Sequence, residues 1–161
     1  MYIWTIKKWV THLNYNSRKC RKGLRLKIDK DVDLEVKRAC KEFCVWLRTG
    51  YFFPVRVPIY LKNTEQIKAK DGSLVSAIFF EPYDLKDEPY IQIAIGEYAK
   101  IFKKRGQDNA LAAILCSIAH ELTHYFQWIN GISLTPIGTE RQASQCARLI
   151  LNEYANMREH P

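Results

Sequence analysis

His120, Glu121 and His124 stand in the order His-Glu-x-x-His, a spacing from which one α-helix can offer two imidazoles to a single metal ion. Residues four apart share a helix face, so both rings can reach one cation, and zinc is the ion that such pairs commonly hold. Glu121 lies three positions before His124, close enough to the same face to hold a water on that ion. The triplet supplies two ligands and a base, which is the equipment of metal-assisted hydrolysis. The plain alternative is a polar helix face on which Glu121 pairs with a surface cation.

A catalytic zinc usually takes three protein ligands and keeps its fourth position for water. Glu140, Cys146, Glu153, Glu159 and His160 follow the motif and are candidates for the third. On the last helix Ala143, Ala147, Ile150, Leu151 and Tyr154 form a packing stripe; Glu140 is in register with it, and Glu153 projects to the opposite side. A carboxylate aimed inward is costly unless a cation meets it, and zinc would meet it. The competing reading makes Glu140 a solvated acid in the first helical turn, favoured by the helix dipole.

With these residues the chain resembles the gluzincin metallopeptidases, in which a glutamate on a helix after His-Glu-x-x-His completes the zinc site. Glu140-Arg141-Gln142-Ala143 is similar to the second motif of small members such as the ImmA/IrrE-type peptidases and the minigluzincins. The resemblance spans about residues 31 to 157. It implies an α+β, zincin-like single domain and a zinc-dependent peptidase acting on a protein or peptide. His120, His124 and Glu140 would be the ligands and Glu121 the general base. It also implies that the strand Ile91 to Ile95 is the sheet edge beside the cleft, to which an extended substrate could add. Gln142 stands where an aspzincin has its aspartate, and the third histidine of a metzincin is missing. A second donor for the developing oxyanion is expected. Tyr154, Arg141 and His160 are candidates; Tyr125 is expected to pack, and Cys116 to be a small buried residue one turn before His120.

Several elements must hold these groups. Asp31 is placed to cap a helix reaching about Arg48, with Val32, Val36, Ala39 or Cys40, Phe43 and Leu47 on one face and Gly50 beyond its end. Val55, Val57, Ile59 and Leu61 alternate as in a strand, in which Pro58 argues for an edge or irregular position. Asp71-Gly72 signals a turn, Leu74 to Phe80 reads as a buried strand, and Ile91, Ile93 and Ile95 alternate in a third. Asp108 is placed to cap a long helix with Leu111, Leu115, Ile118, Leu122, Tyr125 or Phe126, and Ile129 in its apolar stripe. That stripe leaves the histidines facing a cleft. Asn130-Gly131 closes the helix, a loop with Pro136 and Gly138 follows, and a final helix runs from about Thr139 to Met157.

The 161 residues, 47% of them hydrophobic, suit one domain with a real core. The net charge of +8 is concentrated in residues 1–30, where nine basic residues meet one aspartate. This suggests a basic N-terminal segment (1–30) ahead of a metallopeptidase domain (31–161). Such a segment can be a solvated surface, or can meet nucleic acid, anionic lipid or an acidic partner. Trp4, Trp9 and Tyr15 among the charges make stacking on nucleic acid the basis of a second reading, a non-enzymatic binding module, although no nucleic-acid motif is present. Cys20 is considered as a removable fourth ligand that keeps the site latent. No secretory signal is expected, since Lys7 and Lys8 interrupt the first apolar stretch, and Ala110 to Ala119 is too short for a membrane span. Five cysteines without a C-x-x-C pair fit reduced thiols in the cytoplasm, with Cys40 and Cys44 as core filling.

Overall fold

The computed structural model describes residues 3–4, 23–83 and 87–161. In chain order these contain β1 (Leu24–Ile28), α1 (Leu34–Gly50), β2 (Val57–Lys62), β3 (Ile67–Lys68), β4 (Leu74–Val75), β5 (Ala77–Phe80) and β6 (Tyr90–Ala94). Three further helices follow, α2 (Tyr98–Arg105), α3 (Gln107–Ile129) and α4 (Pro136–Ala155). The main sheet has the order β1-β2-β6-β5, with β1, β2 and β6 parallel and β5 antiparallel to β6. Strands β3 and β4 form a separate hairpin through the Asp71-Gly72 turn, where Gly72 takes φ 86°. The result is a small α+β domain, a mixed sheet packed on four helices.

Period-2 alternation decides which sheet face the helices cover. Val57, Ile59 and Leu61 of β2 and Ile91 and Ile93 of β6 are buried, and α3 lies against β5 and β6. On the other face Tyr60 and Tyr90 meet edge to face, and Lys27 and Lys62 lie over the Tyr60 ring. The half-exposed side is thereby roofed by side chains instead of a second helical layer.

Pro58, expected at an edge or irregular position, lies in an interior strand. The Val57 amide donates to Gly23 O at 2.8 Å, so the next residue turns its backbone toward β6. The β6 ladder starts only at the following pair, Ile59 with Ile91. The missing N–H of Pro58 falls one position before it would be needed. The segment Leu74 to Phe80 is two strands, β4 pairing with β3 and β5 with β6, and β5 is half-exposed because it forms the sheet edge.

Helix boundaries shift with their caps. Asp33, not Asp31, caps α1, its carboxylate accepting from Glu35 N (2.8 Å) and Val36 N (3.3 Å), and Gly50 is the last helical residue. Gly106 precedes α3, and Asp108, expected as its cap, sits inside the first turn and receives His160 Nδ1 at 2.7 Å. Helix α4 starts at Pro136 behind Thr135, whose Oγ1 accepts from Gly138 N, three residues earlier than expected. Helix α2, not expected from the sequence, has no fully buried residue and carries only the short apolar stripe Tyr98, Ile101 and Phe102.

The boundary expected at residue 30 does not divide the described structure. Leu24, Leu26 and Ile28 alternate with Arg25 and Lys27, and all five residues pair with β2. Ile3 and Trp4 are in the core. Counting charge hid a strand whose basic residues occupy every second position. The basic residues at 7, 8, 18, 19, 21 and 22 lie outside the described residues. Among the described residues no helix is long and apolar enough to cross a membrane.

Candidate metal centre

Helix α3 buries Leu111, Leu115, Ile118, Leu122, Phe126 and Ile129, which turns His120 and His124 to its opposite side. Helix α4 packs along α3, with Ala143 and Ala147 fully buried where the two approach. One turn before Ala143, Glu140 reaches across to both imidazoles. Its Oε2 lies 3.1 Å from His120 Nε2, its Oε1 3.3 Å from His124 Nε2, and the two Nε2 atoms are 3.2 Å apart. Ligands about 2.0–2.1 Å from a tetrahedral zinc lie about 3.3 Å from one another, so the three groups are spaced as the edges of such a site. Because α4 begins at Pro136, Glu140 belongs to its second turn, beyond the amides that a first-turn acid would serve.

Gln127 fixes the state of His124. A backbone carbonyl only accepts, so the Gln127 atom 3.0 Å from Thr139 O is the amide nitrogen, which also faces Gln142 Oε1 at 3.0 Å. The Gln127 atom 2.7 Å from His124 Nδ1 is therefore its carbonyl oxygen, and Nδ1 must carry the proton. In a neutral ring this leaves a bare lone pair on Nε2, directed at a carboxylate oxygen that also has only lone pairs. That contact is repulsive unless a proton or a metal cation lies between. Burial, and secondarily the neighbouring His124, hold the His120 pKa below its ordinary value despite the Glu140 carboxylate, which favours the neutral, ligating form.

Glu121 is turned into the protein and is almost fully buried. Burial first, and the charge of Glu140 second, push its carboxyl up to about 8, against the pull of a hydrogen bond from the Phe79 backbone. A carboxyl with that affinity can hold a proton near neutral pH and pass it on. Phe79 is on β5, so this bond ties the putting-together of base and sheet edge to one backbone amide.

The cleft above these groups has a volume of about 1340 Å³ and is walled by β5, the β4 end of the hairpin, α3 and the start of α4. The edge beside it is β5; the strand Ile91 to Ile95, expected there, is interior and pairs on both sides. None of the expected oxyanion donors lines the cleft. Tyr154 packs against Phe43 and Trp46 with its hydroxyl at Arg158, His160 is held by Asp108, and Arg141 faces the outer groove of α4. Glu153 points away and accepts from Tyr51 Oη at 2.7 Å. Tyr125 packs as expected, its hydroxyl donating to Val55 O at 2.6 Å. Cys116 lines the cleft, half-buried, and Cys40 and Cys44 are buried free thiols whose pKa values burial raises.

Trp4, grouped with aromatic residues free to stack on nucleic acid, is 1% exposed. It packs on Phe126 and Tyr51, and its Nε1 donates to Thr123 Oγ1 (3.1 Å) inside the motif itself. Trp9, Tyr15 and Cys20 lie outside the described residues. Gln127, Thr123 and the Phe79 amide were missed from sequence; only Gln127, three residues after His124 on the same helix, left a legible signal.

His120, His124 and Glu140 are the group that could hold a metal ion among the described residues. Comparison with protein-family models, curated proteins and solved structures gives no match to this chain.

Proposed function

We propose that the protein is a zinc-dependent peptidase of gluzincin type, with a zincin-like fold, that hydrolyses peptide bonds in a protein or peptide. The observation carrying this reading is the convergence of two imidazole nitrogens and a carboxylate from two helices, at ligand spacing, beside a buried glutamate. His120, His124 and Glu140 would hold the ion, and when bound it supplies Lewis acidity toward water and the scissile carbonyl. Gln127 keeps the His124 proton on Nδ1 and so keeps Nε2 available. Glu121 takes the proton from the attacking water and delivers it to the leaving amine. A structural zinc site has no use for such a base. The Ala94 N to Ser76 O bond sets the ladder so that Ile78 and Phe80 exchange hydrogen bonds with β6, while the backbone groups of Ala77 and Phe79 turn to the free edge, where those not held by Glu121 are open to an extended substrate.

Metal analysis of the wild type beside His124→Ala and Glu140→Ala, with a peptidase assay of Glu121→Gln, tests the reading. The expected result is one zinc per chain, lost in both ligand variants, and a Glu121→Gln protein that keeps zinc but loses at least about 10²-fold in turnover. Full zinc retention by Glu140→Ala, or undiminished hydrolysis by Glu121→Gln, would sink it.

A further inference from the structure

Five glutamates, Glu65, Glu81, Glu97, Glu121 and Glu140, line the cleft, and among the described residues no lysine or arginine does. The chain as a whole has 25 Lys and Arg against 17 Asp and Glu, so this wall has the opposite sign to the protein that carries it. Glu140 and Glu121 are accounted for by the metal and the base. The other three are exposed, and none forms an ion pair among the described residues.

Their placement follows the sheet edge. Glu65 and Glu97 flank a point where two backbones touch: Gly96 N donates to Thr64 O at 2.8 Å, and a Cβ on Gly96 would lie 2.5 Å from Glu65 Cα. The nearby Ala94 N donates to Ser76 O, so this pair sits at the start of β5. Glu81 follows the other end of β5 directly. Between them, Phe79 gives its amide to Glu121. The paired acids therefore lie beyond the first residue of β5 and Glu81 beyond its last, one at each end of the edge that borders the cleft.

We propose that the cleft selects a basic peptide segment, with Lys or Arg on either side of the bond presented to His120, His124 and Glu140. This rests on the hydrolase reading for its chemistry, while the charge preference belongs to the cleft walls. Long basic side chains from an extended segment on β5 are drawn to the acids at either end, and an acidic segment is repelled by the same acids. The contacts are exposed, so the preference weakens as salt rises.

Binding is measured by fluorescence anisotropy on zinc-loaded Glu121→Gln, which holds peptide without cutting it, using one labelled sequence with Lys, Ala or Glu at the flanking positions. Hydrolysis of the same peptides by the wild type is followed in parallel. The Lys peptide should bind about tenfold more tightly than the Glu peptide at low salt, and the gap should close by about 0.5 M NaCl. Glu65→Lys/Glu81→Lys/Glu97→Lys should invert the order, whereas Glu159→Gln, away from the cleft, should leave it. Charge-blind binding, or an order that survives the triple reversal, overturns the proposal. Charge-selective binding without wild-type turnover would instead leave the ligand class standing and remove the peptidase reading.

Discussion

The carbonyl oxygen of Gln127 accepts the Nδ1 proton of His124 at 2.7 Å, while its amide nitrogen donates to Thr139 O at the start of the helix that carries Glu140. One side chain thus orients a candidate ligand and ties it to the neighbouring helix. Gln127→Ala should weaken zinc binding about 10- to 100-fold, read by competition with a chromophoric chelator. Gln127→Glu keeps the acceptor for Nδ1 but loses both donated bonds, and should fall between. Unchanged affinity in Gln127→Ala would show that packing alone orients the ring.

Glu121 gives metal-free protein an inverted pH response. Its folded pKa is raised from the ordinary 4.5 to about 8, so between those values the folded state holds a proton that the unfolded state has released. Its contribution to stability is therefore undiminished below the lower value and lost as pH rises through the window. Wild type should lose up to about 1.4 kcal/mol per pH unit relative to Glu121→Gln across that window, then run level above it. Urea unfolding of the chelator-treated pair at pH 5, 6.5 and 8.5 checks this; a constant difference would contradict it.

Gly96 is required by contact. A Cβ there would lie 2.5 Å from Glu65 Cα and 2.7 Å from Thr64 O, both backbone atoms that cannot swing aside. Gly96→Ala should cost about 1–3 kcal/mol. Gly50→Ala, at the end of α1 with open space around it, should be neutral or stabilising by up to about 1 kcal/mol. Thermal melts should show a clear drop for Gly96→Ala and none for Gly50→Ala.

Trp4 fills the space behind the motif helix. Trp4→Ala should destabilise by roughly 3–5 kcal/mol, and Thr123→Val, which strands the indole N–H, by about 1–3 kcal/mol. Because both act on the same bond, the double variant should cost less than the sum. Strict additivity in denaturant titrations would mean that the 3.1 Å contact contributes nothing.

The site was legible because it is local. His120, Glu121 and His124 need only helical periodicity to be placed on one face, and Glu140 needed only its phase relative to Ala143 and Ala147. What escaped depends on distant partners. Leu24 to Ile28 joins the sheet through β2, whose partners lie some thirty residues on, and its alternation is masked by Arg25 and Lys27. Trp4 meets Thr123 across 119 positions. The edge position of β5 depends on the antiparallel insertion of a short segment beyond β6, which no periodicity within β5 records. The α1 cap lies two residues from its expected place because Asp31 and Asp33 are chemically equivalent until the backbone chooses between them, and α4 begins three residues early, behind Thr135.

Strand β5 also bears on how the molecule stays apart from its own kind. Its outward groups belong to Ala77 and Phe79, and the Phe79 amide is already engaged by a buried acid. So short a margin, with one donor taken and carboxylates at both ends, is a poor template for lateral growth by another copy. A border so short and half occupied gives a fibril little to grow from.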